Sequence, residues 1–356
     1  MKPSLHCTAR CIHCEPRRSF YRSRVGPTLA FEEYASIIRE AVGLGARSLH
    51  VSGGEPTLYP HLARLMHEGD RLNLYTVLNT NGSLITRELA GDLVRSGLRS
   101  VIISIHGDSA ERHDAIRRRA GNFDEVVRAV EILRELRDTS RPKLLISTQT
   151  IVTKNNYTDL PGIIDLVCRL DVDAHGLSYI EGDFDLEYSL TMEDIGILRS
   201  EVLPEVVSRL KRHAFKNVIL KWAAIQLVSR LYGGTIERRR DMSRGIYNGK
   251  RGDAGCRTPA GFVMILADGS VLPCNMVEYT DGPILGNVKT SRLEEIIHSE
   301  RWLDFTRNGY DYCRNCPTHM HFHIPISANL RKLLPLARRN PAYEQKSIFR
   351  RLSEAM

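Results

Sequence analysis

The segment Cys7-Thr8-Ala9-Arg10-Cys11-Ile12-His13-Cys14 decides how the rest of the chain is interpreted. It places three cysteines in a C-x3-C-x2-C pattern on one short loop. Thiolates at this spacing can converge on one iron–sulfur cubane. Because a [4Fe–4S] cluster takes four ligands, three cysteines leave one iron open to a small molecule. The spacing leaves one alternative open, a zinc ion held by these cysteines with His6 or His13.

A glycine-rich turn follows one helix length and one short strand later, at Val51-Ser52-Gly53-Gly54-Glu55-Pro56. The cysteine loop and this turn together resemble the radical SAM superfamily, and the resemblance covers roughly residues 5–180. It implies that the open iron binds the amino and carboxylate groups of S-adenosylmethionine (AdoMet), and that the turn holds the amino group. A zinc site has no reason to carry this turn, which favours the iron–sulfur interpretation.

The resemblance continues residue by residue. Asn79-Thr80-Asn81-Gly82 resembles the family's Thr-Asn-Gly turn, Ser104 with Ile105-His106-Gly107-Asp108 resembles Ser-Leu-Asp-Gly, and His113-Asp114-Ala115-Ile116-Arg117 resembles His-Asp-x-Ile-Arg. It implies that Arg117 and Ser104 bind the carboxylate and ribose of AdoMet, with Arg118 or Arg119 as substitutes for Arg117. His13 departs from the family, where an aromatic residue is common, but an imidazole can also stack on adenine. The predicted AdoMet-binding residues are His13, Gly53, Gly54, Glu55, Asn81, Ser104, Arg117 and Gln149. For Gln149 and Ser147 two alternatives remain open: a contact with the substrate, or a strand position that merely alternates with core residues.

Strands and helices alternate over the first 182 residues. Apolar spacing predicts strands at 5–6, 48–52, 72–78, 100–105, 144–152 and 175–180, and helices at 31–44, 61–69, 87–96, 123–137 and 160–170. This alternation predicts an α/β fold of parallel strands with helices packed outside. The family resemblance selects a partial (β/α)6 barrel, in which ligands collect at the carboxyl ends of the strands.

A second cysteine set comprises Cys256, Cys274, Cys313 and Cys316. Asp268-Gly269 between two apolar runs predicts a β-hairpin, and a helix is predicted at 293–307. A structural zinc ribbon would also fit four cysteines with a C-x2-C pair. The set resembles the twitch subdomain of radical SAM enzymes, a reduced form of the SPASM domain, and implies a second [4Fe–4S] cluster. Cys168 is then left over and is predicted to be a buried core thiol.

The predicted organisation has four parts: a barrel at 1–182, a helical connector at 183–255, the twitch subdomain at 256–320, and a basic C-terminal helical tail at 321–356. In the connector, Thr191 and Asp194 predict the start of a helix over 191–212 that Pro204 kinks or splits. Another helix is predicted at 220–232. His319, His321 and His323 are interpreted as an exposed polar tail rather than as ligands.

The composition indicates a soluble globular protein. The 356 residues are 42% hydrophobic and 26% charged, and no run approaches the 18 apolar residues of a membrane span. No removable leader fits before Cys7, which predicts a cytoplasmic protein without disulfides. The formal net charge of +8 is interpreted as a solvated basic surface rather than a nucleic-acid site. Such a surface would suit docking of a flavodoxin or ferredoxin-type reductant.

Function is predicted from the two clusters. Twitch enzymes of aminocyclitol and aminoglycoside antibiotic pathways resemble this chain, which implies oxidation of a secondary alcohol to a ketone with the electron leaving through the second cluster. Glu181, Asp183 and Asp185 are predicted to bind an amino-polyol substrate and supply the general base, and Tyr179 is a further hydrogen-donor candidate. The alternatives are an aminoglycoside epimerase, a peptide-modifying radical SAM enzyme, and a non-enzymatic iron–sulfur or zinc protein that binds RNA.

Overall fold

A computed structural model describes residues 1–24, 28–139, 144–179, 187–213, 261–279, 282–308 and 322–325. At its centre five parallel strands lie side by side in chain order. They are β1 (Ser48–Val51), β2 (Tyr75–Thr80), β3 (Ser100–Ser104), β4 (Leu145–Val152) and β5 (Ala174–Tyr179). This sheet confirms the predicted α/β barrel class.

Helices connect these strands and cover one face of the sheet. Crossovers between neighbouring parallel strands are right-handed, so they place their helices on the same side. Val51, Leu78, Val101 and Ile146 form one row across the sheet on that side, and each is at most 1% exposed. The helices are α1 (Glu15–Arg22), α2 (Phe31–Gly43), α3 (Leu62–Arg71), α4 (Arg87–Arg95), α5 (Ala110–Arg117), α6 (Asn122–Thr139), α7 (Leu160–Arg169), α8 (Met192–Ile197), α9 (Leu203–Arg212), α10 (Leu293–Ile297) and α11 (Glu300–Asn308).

The first residues of the chain join the barrel to a second, antiparallel sheet. That sheet contains β6 (Met264–Ile265), β7 (Ser270–Leu272) and β8 (Gly286–Asn287), and it includes the predicted Asp268-Gly269 hairpin. Lys2 N–H donates to the carbonyl of Ile265 at 2.8 Å, and Gly54 N–H donates to the carbonyl of Ser4 at 2.9 Å. Isolated parallel bridges at Lys2 and Ser4 therefore replace the strand predicted at 5–6.

Several other predictions need correction. The tail predicted to be helical contributes a strand, β9 (Phe322–Pro325), which pairs antiparallel with β5 and contains His323. The single helix predicted at 293–307 is two helices, because the Ser299 hydroxyl accepts from Trp302 N–H at 3.2 Å and starts α11. The sequence interpretation did not predict α1 or α5. For α5 the available signal was Ser109, whose hydroxyl accepts from Arg112 N–H at the first turn.

The connector behaves as predicted over its described part. Thr191 and Asp194 exchange hydrogen bonds at the start of α8, with Thr191 N–H donating to the Asp194 carboxylate at 2.8 Å. A π-helical turn at Leu198–Val202 then precedes α9, whose first turn contains Pro204. Because proline has no N–H to donate, it splits this helical run. Helix 220–232 lies outside the described residues, and no described helix is long and apolar enough to cross a membrane.

Candidate active site

The predicted cofactor loop ends in a short helical turn, Ile12–Cys14, and brings its ligand groups together. The ligand atoms of Cys11, His13 and Cys14 all lie within 4.8 Å of one another. Cys11 is 4% exposed, whereas Cys7 lies exposed at the start of the loop, where Asn81 Nδ2 approaches its sulfur at 3.6 Å. This donor set, thiols and one imidazole, fits a metal centre.

Arg117 holds this loop from the end of α5. Its Nη1 donates to Cys11 Sγ at 3.3 Å, and its Nη2 donates to the Ser104 carbonyl at 3.1 Å. A hydrogen bond from Cys14, with the charges of Arg117 and His13, holds the pKa of Cys11 well below its ordinary value. A lowered pKa favours the thiolate, which is the metal-binding form. Arg117 Nε is buried without a hydrogen-bond partner, so the guanidinium retains a donor for a carboxylate ligand.

The two neighbouring arginines are engaged elsewhere. Arg119 forms an ion pair with Glu125 at 2.8 Å and donates to the Thr8 carbonyl at 3.2 Å. Arg118 is exposed in a left-handed conformation with φ of 49°, and it donates to the Tyr188 hydroxyl at 3.3 Å. Of the three candidates, Arg117 alone combines burial, a contact with a loop thiol and an unused donor.

The glycine pair is required by the close passage of the N-terminal segment. A Cβ on Gly53 would lie 2.3 Å from the Ser4 carbonyl oxygen, and one on Gly54 would lie 2.2 Å from that of His6. Glu55 N–H donates to the same His6 carbonyl at 2.7 Å. The turn therefore holds the chain that leads into Cys7, in addition to the predicted contact with AdoMet.

Glu55 joins this turn to the next one. Its side chain is fully buried and accepts hydrogen bonds from Thr57 N–H and hydroxyl, from the Thr80 hydroxyl at 2.7 Å and from Asn81 N–H at 2.7 Å. Asn81 Nδ2 in turn donates to the Thr8 hydroxyl at 2.9 Å. Glu55 thus positions the Asn81 turn against the cofactor loop, and its direct contact with AdoMet stays a prediction.

Histidines line the back of the loop. His13 and His106 meet edge to face at a ring-centroid distance of 4.8 Å, and His106 stacks on His113 at 6.0 Å. Burial is the main reason that the pKa of His106 lies far below its ordinary value and that of His113 is about 3. His106 Nδ1 accepts from Ile151 N–H, and His113 Nδ1 accepts from His106 N–H. The His106 and His113 rings are therefore neutral at pH 7.

The sheet face opposite the helices is uncharged across the described strands β1–β5. Strand register places its side chains in rows, with the Ser104, Gln149 and Gly176 row at the carboxyl end of β3 and the Ile151 and Ser178 row beyond it. Gln149 Nε2 donates to Ser178 Oγ at 3.1 Å, and His50 Nε2 lies 2.7 Å from Asn79 Oδ1. Burial lowers the pKa of His50 to about 4, so it is neutral at pH 7. The face comprises Ser48, His50, Tyr75, Val77, Asn79, Ser100, Ile102, Ser104, Leu145, Ser147, Gln149, Ile151, Ala174, Gly176 and Ser178.

The structure places the predicted cofactor residues in two groups of contacts along the loop and leaves other predictions outside its scope. Asn81 bonds to Glu55 and Cys7, whereas Arg117 bonds to Cys11, beside His13 and Cys14, and to the Ser104 carbonyl. Tyr179 ends β5, and Cys274 is 8% exposed. Cys168 is half-buried against the main core, and burial raises its pKa to about 12, as expected for an inert thiol. Glu181, Asp183, Asp185, Cys256, Cys313, Cys316, His319 and His321 lie outside the described residues. Sequence interpretation missed His50, Asn79 and Ser178.

Comparison with known families identifies both parts of the chain. Residues 1–167 match the radical SAM superfamily, and residues 256–317 match the SPASM iron–sulfur cluster-binding domain. The chain therefore carries a radical SAM domain followed by a SPASM domain. The radical SAM domain binds a [4Fe–4S] cluster and AdoMet, and the SPASM domain binds additional iron–sulfur. The number of clusters in the second domain stays a prediction.

Curated relatives include a heme synthase and a peptide cyclase. The AdoMet-dependent heme synthase of Methanosarcina barkeri is 26% identical over 299 residues, which cover 82% of this chain and 78% of the relative. The PqqA peptide cyclase of Rhodopseudomonas palustris is 29% identical over 167 residues, which cover 47% of this chain and 42% of the relative. The second match is thus confined to about half of each protein.

Solved structures support the fold. Streptococcus suis SuiB bound to S-adenosylmethionine is 16% identical, with a TM-score of 0.60 over 89% of this chain and 67% of SuiB. The structure of anSMEcpe with bound AdoMet and Cp18Cys peptide is 19% identical, with a TM-score of 0.56 over 89% of this chain and 86% of that protein. At these identities, the likeness concerns the fold alone.

Proposed function

We propose that this protein is a radical SAM enzyme that oxidatively modifies a peptide. The observation that carries the proposal is the uncharged sheet face, since the reacting group of a substrate must approach the AdoMet site across it. Neutral amide, hydroxyl and imidazole groups such as Gln149, Ser178 and His50 suit a peptide backbone or an uncharged side chain. Similarity to PqqA peptide cyclases supports the same choice.

The face gives less support to the predicted amino-polyol. An ammonium group beside the reacting carbon would need a carboxylate partner, and the described strands present none on this face. Glu55, the carboxylate that contacts the Asn81 turn, is fully buried and already accepts four hydrogen bonds. Alcohol oxidation in an aminoglycoside pathway is therefore replaced as the preferred function.

The protein's own groups prepare the chemistry. Arg117 holds Cys11 as a thiolate and offers Nε to a carboxylate, while the Gly53-Gly54 turn and Glu55 fix the loop that carries Cys7. When bound, the cluster and AdoMet would supply a carbon-centred radical able to remove one hydrogen atom from substrate. The resulting substrate radical would lose one electron to an acceptor and one proton to water, a net loss of two hydrogens. The SPASM iron–sulfur site is the proposed electron acceptor.

A tetrapyrrole is the second candidate, because the heme synthase match spans most of both chains. Tetrapyrrole propionates would need cationic partners, and Arg117 is the buried cation described beside the cofactor loop. The uncharged face is the reason that we rank this candidate second.

One experiment separates the two candidates. The anaerobically reconstituted protein is incubated with AdoMet, dithionite and synthetic peptides encoded beside its gene, and products are analysed by mass spectrometry. A loss of about two mass units per modified peptide, from two hydrogens, supports the proposal. The tetrapyrrole arm uses heme and Fe-coproporphyrin III as probes in absorbance titrations. Saturable tetrapyrrole binding with every peptide unchanged would overturn the peptide assignment.

A further inference from the structure

Three buried polar side chains meet where the barrel contacts the hairpin sheet. Lys2 forms an ion pair with Glu278 and donates to the Tyr21 hydroxyl at 3.1 Å, and that hydroxyl donates to Glu278 Oε1 at 2.9 Å. Lys2, Tyr21 and Glu278 are only 3%, 5% and 1% exposed. Buried charges require specific hydrogen-bonding partners. The triad therefore fixes the relative position of the elements that it joins, which an apolar contact would do less specifically.

The triad joins two elements that each begin directly after a predicted ligand cysteine. Tyr21 is on α1, which begins directly after Cys14, and Glu278 is in the helical turn Asn275–Tyr279, which begins directly after Cys274. Apolar side chains surround the triad in one buried cluster, namely Phe20, Met264, Leu266, Leu272, Cys274, Met276 and Val277. The element that leaves the cofactor loop thus packs against the element that leaves a SPASM-domain cysteine.

We infer that Lys2, Tyr21 and Glu278 are positioning residues that set the distance between the cofactor loop and the SPASM iron–sulfur site. The residue types carry this inference. An apolar contact would stabilise the interface equally well, because replacing a buried ion pair by apolar residues is often neutral for stability. An ion pair with a shared tyrosine additionally fixes one register of the two elements. The inference rests on the proposed function in one respect, the use of that distance for electron transfer.

The first test is hydrogen exchange of the anaerobically reconstituted protein. Tyr21→Phe keeps the ring and removes two hydrogen bonds, so amide exchange in residues 261–279 should rise at least about tenfold, with β2–β4 unchanged. Tyr34→Phe is the matched control, because Tyr34 is equally buried and its hydroxyl has no partner in the described structure. Equal exchange in the two variants would overturn the inference.

The second test separates positioning from stability. Electron paramagnetic resonance of the fully reduced protein reports the magnetic interaction between the two iron–sulfur sites, which depends on their separation. The double variant Lys2→Met/Glu278→Met replaces the buried ion pair by apolar side chains. Its urea midpoint should lie close to that of the wild type, whereas its magnetic interaction between the two iron–sulfur sites should differ from that of the wild type. A double variant with wild-type interaction would show that the triad only stabilises the fold. Neither measurement requires substrate, so failure of the proposed function cannot produce these results.

Discussion

Gly54→Ala should disrupt the cofactor loop. The new Cβ would lie 2.2 Å from the His6 carbonyl oxygen and 2.7 Å from that of Leu5. Carbon–oxygen contacts are normally about 3.3 Å or longer, so the N-terminal segment must move by about 1 Å. This movement breaks the bonds from Gly54 N–H to Ser4 and from Glu55 N–H to His6. Overpacking and two lost hydrogen bonds together should cost roughly 2–4 kcal/mol.

Three measurements test this prediction: the urea midpoint, iron content after reconstitution, and AdoMet affinity by equilibrium dialysis. We expect all three to fall in Gly54→Ala. The matched control is Gly196→Ala in α8, where a Cβ meets nothing within 4 Å. Alanine at this helix position should raise the free energy of unfolding by about 0.5–1 kcal/mol. Wild-type stability and affinity in Gly54→Ala would refute the argument that backbone approach dictates this glycine.

Three other predictions address the same site. Arg117→Met removes a carboxylate partner and should weaken AdoMet binding by roughly 1.5–3 kcal/mol in equilibrium dialysis, whereas the control Arg118→Met, at an exposed arginine bonded to the Tyr188 hydroxyl, should change it little. Glu55→Gln places an amide N–H group against the Thr80 hydroxyl and Asn81 N–H, which now donate to the carboxylate. The free energy of unfolding, measured by urea denaturation, should therefore fall by about 1–3 kcal/mol. His113 has a folded pKa of about 3 against 6.5 unfolded, so the unfolded chain binds more protons between these values and stability should fall as pH drops below about 6.5. His113→Gln should flatten this pH dependence of the urea midpoint, and an unchanged slope would contradict the assignment.

Local motifs in the sequence selected the residues that surround the cofactor loop. The structure brings Asn81 against Glu55 and Cys7, and Arg117 against Cys11, while their contacts with AdoMet stay predictions. The parallel strands followed from the alternation of strands and helices, whereas the barrel arrangement came from the family resemblance. Errors arose where short side-chain caps decide an element, as at Ser299 and Ser109.

The uncharged face could not be predicted from sequence because strand parity was ambiguous. In β4, polar residues occur on both faces: Ser147 and Gln149 on one, Thr148 and Thr150 on the other. Thr148 bonds to His175 Nδ1 at 2.8 Å, and Thr150 donates to the Ile105 carbonyl, so both are satisfied beneath the helices. A polar residue in a strand therefore did not indicate which side faces the substrate.

The triad was hidden for a different reason. Lys2 and Glu278 are 276 positions apart, and lysine and glutamate are ordinarily surface residues, so composition assigns both to solvent. Their burial depends on the path of the N-terminal segment between β1 and β6, which no local sequence pattern indicates.

The acidic run at 181–187 and the uncharged face lead to one account of the substrate. The run was interpreted as a site for amino groups, and the face presents no carboxylate across β1–β5. A small amino-polyol carries its charge within a few ångströms of every carbon, so it could not satisfy both conditions at once. In a peptide, the reacting residue can be uncharged while lysine or arginine lies several residues away. The acidic run, which the sequence predicts at the barrel mouth, and the uncharged face of β1–β5 are therefore compatible in an extended substrate, and this compatibility adds a second physical reason to favour a peptide.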